Sequence, residues 1–279
     1  MPQTTSRPTL AKSTYLGSVS ARTRDKHQGR KQPRRRDPVN ARRAEVQFSA
    51  QLKKVARNIG AIIDGFPAGD PAAVPPITSI LESYSRALDE WARAASLRML
   101  TEVNRRDRDA FLERSKDISQ ALRDEIRGAD TGRVMQSLLA EQVELIKSLP
   151  LEAAQRVHKL TIEGLQDSTR AAEIAEEIGR SGEVAESRAV LIARTEVART
   201  AAKLTEARAL SIGSTHFVWE TTGDSDVRPG HKALAGKVFA WNDLPMVNEG
   251  TEKRPVWMRH GPGEIWNCRC WARPILPRE

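Results

Sequence analysis

The chain is poor in several things, and each scarcity excludes something. Two cysteines in 279 residues cannot build a disulfide framework, and the Cys268-Arg269-Cys270 spacing sets them too close to pair without strain. Reduced thiols are expected. Aromatic residues make up 5% of the chain, with two tyrosines, which suits Ala- and Leu-rich helices around a thin core better than an aromatic-rich sandwich. No apolar run reaches the roughly eighteen residues of a membrane span, and no hydrophobic stretch follows the N-terminal charges. Neither a span nor a secretory signal is expected. Also missing are a fixed-period repeat and any helix-turn-helix, finger or aromatic-basic sheet pattern of a sequence-reading DNA binder.

What charge there is sits at one end. The net charge is +9, yet residues 1–43 hold twelve Lys or Arg against Asp25 and Asp37. That surplus of +10 leaves the remainder at −1. A segment so charged and so poor in large apolar residues cannot offset its chain entropy by burial, so residues 1–43 are expected to form a basic disordered arm. Arg30, Lys31, Arg34, Arg35, Arg36, Arg42 and Arg43 are its candidate DNA contacts, acting by phosphate neutralisation and counterion release. A solvated tail that only keeps the protein soluble is the other reading.

Beyond the arm, apolar residues recur at helical spacing. Val46, Leu52, Val55, Ile59 and Ile62 predict a helix from Ala44 to about Asp64. Ile77, Leu81, Tyr84, Leu88, Trp91, Ala95 and Met99 predict a second, with a bend or end near the polar run Asn104–Asp109. Val134, Leu138, Val143 and Ile146 predict a helix stopped by Pro150, with Ala154, Val157, Thr161 and Leu165 starting another. Asp167-Ser168 can cap a short helix ending near Gly179. The strongest helix runs from about Val184 to Ile212 and is stopped by Gly213.

After Gly213 the period becomes two. His216–Thr221 reads as a half-buried strand, and Val238–Trp241 and Cys270–Leu276 read as two more, with a long Pro- and Gly-rich loop between those two. The fold class expected is α+β: a mainly α-helical region over 44–149 and a small C-terminal α+β domain over 150–279.

The chemistry-bearing residues crowd into this last part. Asp224, Asp226, Arg228 and His231 follow the first strand within eight residues. A carboxylate beside an imidazole can make an acid/base pair, the basis for an alternative reading as a metal-dependent nuclease or hydrolase using His231 with Asp224 or Asp226. Equally, both aspartates can cap the turn while Arg228 pairs with a carboxylate. Cys268 and Cys270 with His231, and with His260, offer soft ligands suited to zinc, whereas buried thiols also pack as small apolar groups. Zinc on His231, Cys268 and Cys270 is therefore held as the one cofactor option; otherwise none is expected. Arg194 and Glu196 either make exposed ion pairs on the long helix or dock it onto the small domain. Trp219, Trp241, Trp257, Trp266 and Trp271 read as core and interface anchors rather than a base-stacking face.

The string Arg194-Thr195-Glu196, then Trp219, Asp224, Asp226-Val227-Arg228, His231, Leu234 with Gly236, and finally Asn267-Cys268-Arg269-Cys270 before Pro274, resembles the phage head morphogenesis proteins, the Mu protein F-like minor head family. The resemblance covers roughly residues 150–276. The chain departs from the family pattern at His260-Gly261-Pro262-Gly263, where family members commonly carry His-Pro-Gly, which leaves His231 the better-matched histidine. Membership implies a nonenzymatic minor structural component of a tailed-phage or prophage head, made in the host cytoplasm and carried in the virion. Its implied partners are the portal protein, coat and scaffold proteins and, through the arm, DNA, with no membrane. Related domains precede toxins in larger proteins; with Glu279 following the motif, no appended toxin domain is expected.

Overall fold

A computed structural model describes residues 37–115, 119–166 and 171–277. Helix α1 (Arg42–Asp64) is followed, after a 3-10 turn, by α2 (Val74–Ala87), α3 (Asp89–Arg114), α4 (Gln120–Gly128), α5 (Gly132–Gln166), α6 (Ala171–Gly179) and α7 (Ser181–Ser211). Then come β1 (His216–Glu220), the short helix α8 (Pro229–Leu234), β2 (Val238–Ala240), β3 (Met246–Asn248), β4 (Trp257–Arg259) and β5 (Trp271–Pro274). The expected α+β class with a mainly helical N-terminal part is what the chain adopts.

The helices form because their apolar residues line one side. Along α1, Phe48, Leu52, Val55, Ala56, Ile59 and Ile63 are buried at steps of three and four. They join Ile77 and Leu81 of α2, Leu100 of α3, Ile146 of α5 and Ile192 of α7 in one core. Helices α1 and α7 approach closely because two glycines face each other: a Cβ on Gly182 would lie 2.9 Å from the Cα of Gly60. Most side chains there would force the pair apart.

Three sequence expectations need correcting. Pro150 does not stop a helix; α5 runs through it, because buried Ile146, Leu149, Ala153 and Ala154 pack on both sides and outweigh one lost backbone bond. The residue-150 boundary thus falls within a continuous helix. Neither does α3 end at Asn104: the polar run continues the helix and carries a fully buried residue, Asp107. Finally, Arg42 and Arg43 are not in a disordered arm but open α1; Arg42 pairs with Glu45 at 2.5 Å. Arg30, Lys31, Arg34, Arg35 and Arg36, like the Asp167-Ser168 cap, lie outside the described residues.

Gly213, at φ +77°, ends α7 as expected: its N–H donates to Leu210 and that of Ser214 to Ala209, at 3.0 and 2.9 Å. The chain then enters β1, the middle strand of a three-stranded antiparallel sheet in the order β2-β1-β5. Being central, β1 is buried on both faces from Phe217 to Glu220, not on one as the alternation suggests. The Glu220 carboxylate accepts from Arg273 Nε across the sheet at 2.9 Å. The long loop before β5 also contains the β3–β4 hairpin, which sequence did not reveal.

A second core, built on Phe217, Trp219, Val227, Trp241 and Val247, lies under this sheet and includes Phe111 of α3 and Ile126 of α4. Within the helical part, α3 and α7 are locked together by a buried polar contact. Asp107 accepts from Arg208 Nη1 and from Thr205 Oγ1 of α7, and Arg208 Nη2 donates to Asn104 Oδ1 at 2.6 Å.

Candidate functional site

Four segments distant in sequence meet beside the sheet. They are the first half of α7, the β1–α8 turn with α8 itself, the β3–β4 hairpin, and the loop that leads into β5.

Helix α7 supplies the docking edge. Arg194 Nη1 donates to Asn267 Oδ1 at 3.3 Å, and the Asn267 N–H donates to Thr195 Oγ1 at 3.3 Å. Asn267 can serve because it sits at φ +57°, a left-handed conformation asparagine tolerates. The docking reading therefore holds for Arg194. For Glu196 it does not: this buried carboxylate faces Gln142 and Arg199 inside the helical layer, and its pKa is raised by burial against the pull of Arg199.

The β1–α8 turn takes the structural alternative. Asp224 Oδ1 accepts the Asp226 N–H at 3.1 Å, closing the turn, and Arg269 Nη2 bridges Asp224 and Asp226 at 3.1 and 3.0 Å. Arg228 Nη2 donates to the Trp266 carbonyl at 2.7 Å, while its Nε lies 3.4 Å from Glu249 Oε2. The acid/base pairing of His231 with Asp224 or Asp226 is thus not formed, because Arg269 engages both carboxylates and His231 turns the other way.

His231, on α8, is buried with both ring nitrogens engaged. Nε2 lies 2.6 Å from Glu249 Oε1, and Nδ1 lies 3.3 Å from Cys270 Sγ and 3.5 Å from Cys268 Sγ. Trp219 meets the imidazole edge to face at 5.5 Å between ring centres. His260 also joins the group: its Nε2 lies 2.8 Å from the same Glu249 oxygen. Glu249 attracts no notice in the sequence, since it lies in a polar stretch with no motif; its role appears once the hairpin delivers it between two histidines.

The two cysteines lie in the loop before β5 rather than within a strand, and the sulfurs nonetheless converge while Arg269 between them points outward. Cys268 Sγ also receives the N–H groups of Gly263 and Cys270, each at 3.4 Å.

The electrostatics follow from these contacts. Burial alone would lower the His231 pKa, but its bonds to Cys268 and Glu249 outweigh that and raise it to about 9. Burial would raise Glu249, and the bonds from His231 and His260 bring it down to about 2 instead. Hydrogen bonding from Cys270 outweighs burial and, with His231, lowers the Cys268 thiol to about 4. Cys270, beside that thiolate and itself buried, is raised. The Cys268 sulfur, the His231 imidazole and the Glu249 carboxylate thus lie together, largely shielded from solvent.

Of the tryptophans, Trp219, Trp241 and Trp271 are buried as expected. Trp266 packs against the helical core with Arg188 4.9 Å above its ring. Trp257 departs from the expectation: it is 60% exposed on β4, beside exposed Met246, Val256 and Met258. A cleft of about 1240 Å³ opens between the start of α1, α7 and the Asn267–Ala272 segment.

Residues 155–273 match the family described as Phage Mu protein F like protein, and this supports a phage head morphogenesis family for that stretch. An uncharacterized protein of Haemophilus influenzae is 27% identical over 140 residues, which take in 50% of this chain and 29% of that protein. The chain therefore spans less than a third of that relative's length. No solved structure matches. Every motif residue from Arg194 to Cys270 falls inside the family match. Among the described residues no helix is long and apolar enough to cross a membrane.

Proposed function

We propose that this chain, with its Phage Mu protein F-like pattern over residues 155–273, is a minor structural head protein of a tailed phage or prophage. It acts in capsid assembly near the portal and is not an enzyme. The observation that carries this reading is the coincidence of the family match with the polar knot: the residues of the motif are those that tie α7, α8, the hairpin and the β5 loop into one module. The partners are the portal and the coat or scaffold proteins. The exposed β3–β4 hairpin, with Trp257 at its outer face, suits docking onto such a partner, since a clustered apolar surface of this kind marks an interaction site. The basic residues ahead of α1 add contact with packaged DNA through phosphate neutralisation.

Two measurements test this. In a host that produces the particles, heads and procapsids purified on gradients carry the chain at low copy by mass spectrometry, and an in-frame deletion of its gene reduces DNA-filled heads. A chain absent from heads, with head yield unchanged by the deletion, refutes the assignment. For the DNA contact, full-length protein retains duplex DNA on a filter with a steep loss as salt rises, and removing residues 1–36 abolishes that retention. Equal retention without those residues rejects the DNA role while leaving the head role standing.

A further inference from the structure

We propose that His231, Cys268 and Cys270 form a zinc site that clips α8 to the loop before β5. The inference concerns the folding of the module and stands independently of its role in a head.

Geometry carries it. Tetrahedral zinc with Zn–S near 2.3 Å and Zn–N near 2.0–2.1 Å sets an imidazole nitrogen about 3.5 Å from each coordinated sulfur. His231 Nδ1 lies 3.3 Å from Cys270 Sγ and 3.5 Å from Cys268 Sγ, and the three donor atoms all fall within 4.8 Å of one another. An N–H bond is directed along one line, whereas this nitrogen stands almost evenly between two sulfurs.

The surroundings suit a ligand set better than apolar packing. Cys268 Sγ is approached by two backbone N–H groups at 3.4 Å, an arrangement that stabilises a thiolate and is lost on a thiol packed as a methyl-sized group. The far nitrogen of His231 donates to Glu249 Oε1 at 2.6 Å. A carboxylate behind the imidazole fixes the tautomer that presents a bare Nδ1 to the metal and makes it more basic. His260 and Glu249 could be imagined as ligands themselves, yet their atoms lie 2.8 Å apart, a hydrogen-bond separation shorter than two ligands of one tetrahedral ion hold. They form the supporting layer, which holds Glu249 in place.

The charges balance. On binding, the one proton held by the Cys268–His231 pair and the thiol proton of Cys270 go to solvent, two Zn–S bonds and one Zn–N bond form, and two thiolates neutralise the divalent ion. That removes the cost of a net buried charge. Both cysteines border the cleft beside α7, so water can fill the fourth position. A module whose strands are three to five residues long has little sheet to hold it, and a metal clip is a common answer to a small core.

The test uses full-length protein purified without chelator. Elemental analysis after gel filtration gives one zinc per chain, and cobalt exchanged in its place shows thiolate charge-transfer bands and the strong visible bands of a tetrahedral ion. Cys268→Ser and His231→Ala lose the metal. Glu249→Gln keeps the site but weakens affinity by about 10–100-fold, whereas His260→Ala retains one equivalent. Should the ligand variants fail to fold, chelator titration of the native chain supplies the same readout: zinc leaves as the module loses its near-ultraviolet circular dichroism. A chain without zinc that takes up no cobalt overturns the proposal. So does a metal-free, folded chain whose Cys268 is alkylated at neutral pH much faster than a free thiol, which marks a thiolate–imidazole pair instead.

Discussion

Replacing Asp107 by alanine tests how α3 is fastened to α7. The carboxylate is fully buried, and Arg208, its partner on α7, is 3% exposed. Burial raises the Asp107 pKa and lowers that of Arg208, with their mutual attraction opposing both shifts, so each side chain is the other's main reason for remaining charged. Truncating Asp107 also strips Thr205 Oγ1 of its acceptor and leaves Arg208 with Asn104 Oδ1. Breaking one half of a buried ion pair costs about 3–5 kcal/mol, because an uncompensated charge is stranded. For a domain stable by about 5–15 kcal/mol that is a large fraction. With a urea slope of about 3 kcal/mol/M, the midpoint falls by about 1–1.7 M. Far-ultraviolet circular dichroism and tryptophan fluorescence in urea give the number. The double variant Asp107→Leu with Arg208→Met separates pairing from burial: with both charges removed, most of the lost stability returns. If Asp107→Ala costs under about 1 kcal/mol, or the double variant is no better than the sum of its parts, this contact is not the fastening described.

Three further outcomes follow from the geometry. Gly230→Ala sets a Cβ 2.6 Å from the Asn248 carbonyl oxygen, so it should push α8 off β3 and cost about 1–3 kcal/mol in a urea melt; an unchanged midpoint contradicts the packing. The Glu264 pKa is lowered: burial opposes the shift, but attraction to Lys203 outweighs it. Its contribution is therefore complete above the ordinary glutamate value of about 4.3 and fades as pH falls below it; Glu264→Gln should flatten the acid limb of a stability–pH curve below that value, and an identical limb argues against the pair. Trp257→Ser should shift stability by no more than about 0.5 kcal/mol, because the side chain is already exposed, while lowering recovery of the chain in purified heads; full recovery removes the hairpin from the docking surface.

Several of these features are legible in the sequence and others are not, and the division has a physical cause. Periodicity located α1, α7 and β1, and a single glycine marked the end of α7, because a three- to four-residue step, a two-residue step and a left-handed turn are properties of neighbouring residues. The turn chemistry of Asp224 and the core role of Trp219 were readable on the same ground, and so was the kinship of the motif string. Pro150 misled because its local cost was outweighed by burial contributed from other helices. The polar run at Asn104 misled likewise, since the carboxylate that looked like a helix end meets its guanidinium 101 residues later.

The sequence on its own determined the helical and strand periods, the concentration of charge ahead of α1 and the resemblance of the motif string. Tertiary structure alone decided that Glu249 stands between His231 and His260, that two sulfurs face one imidazole, and that Glu196 turns inward while Arg194 reaches Asn267. Those pairings depend on how whole elements are placed against one another, and no run of adjacent residues encodes such distances.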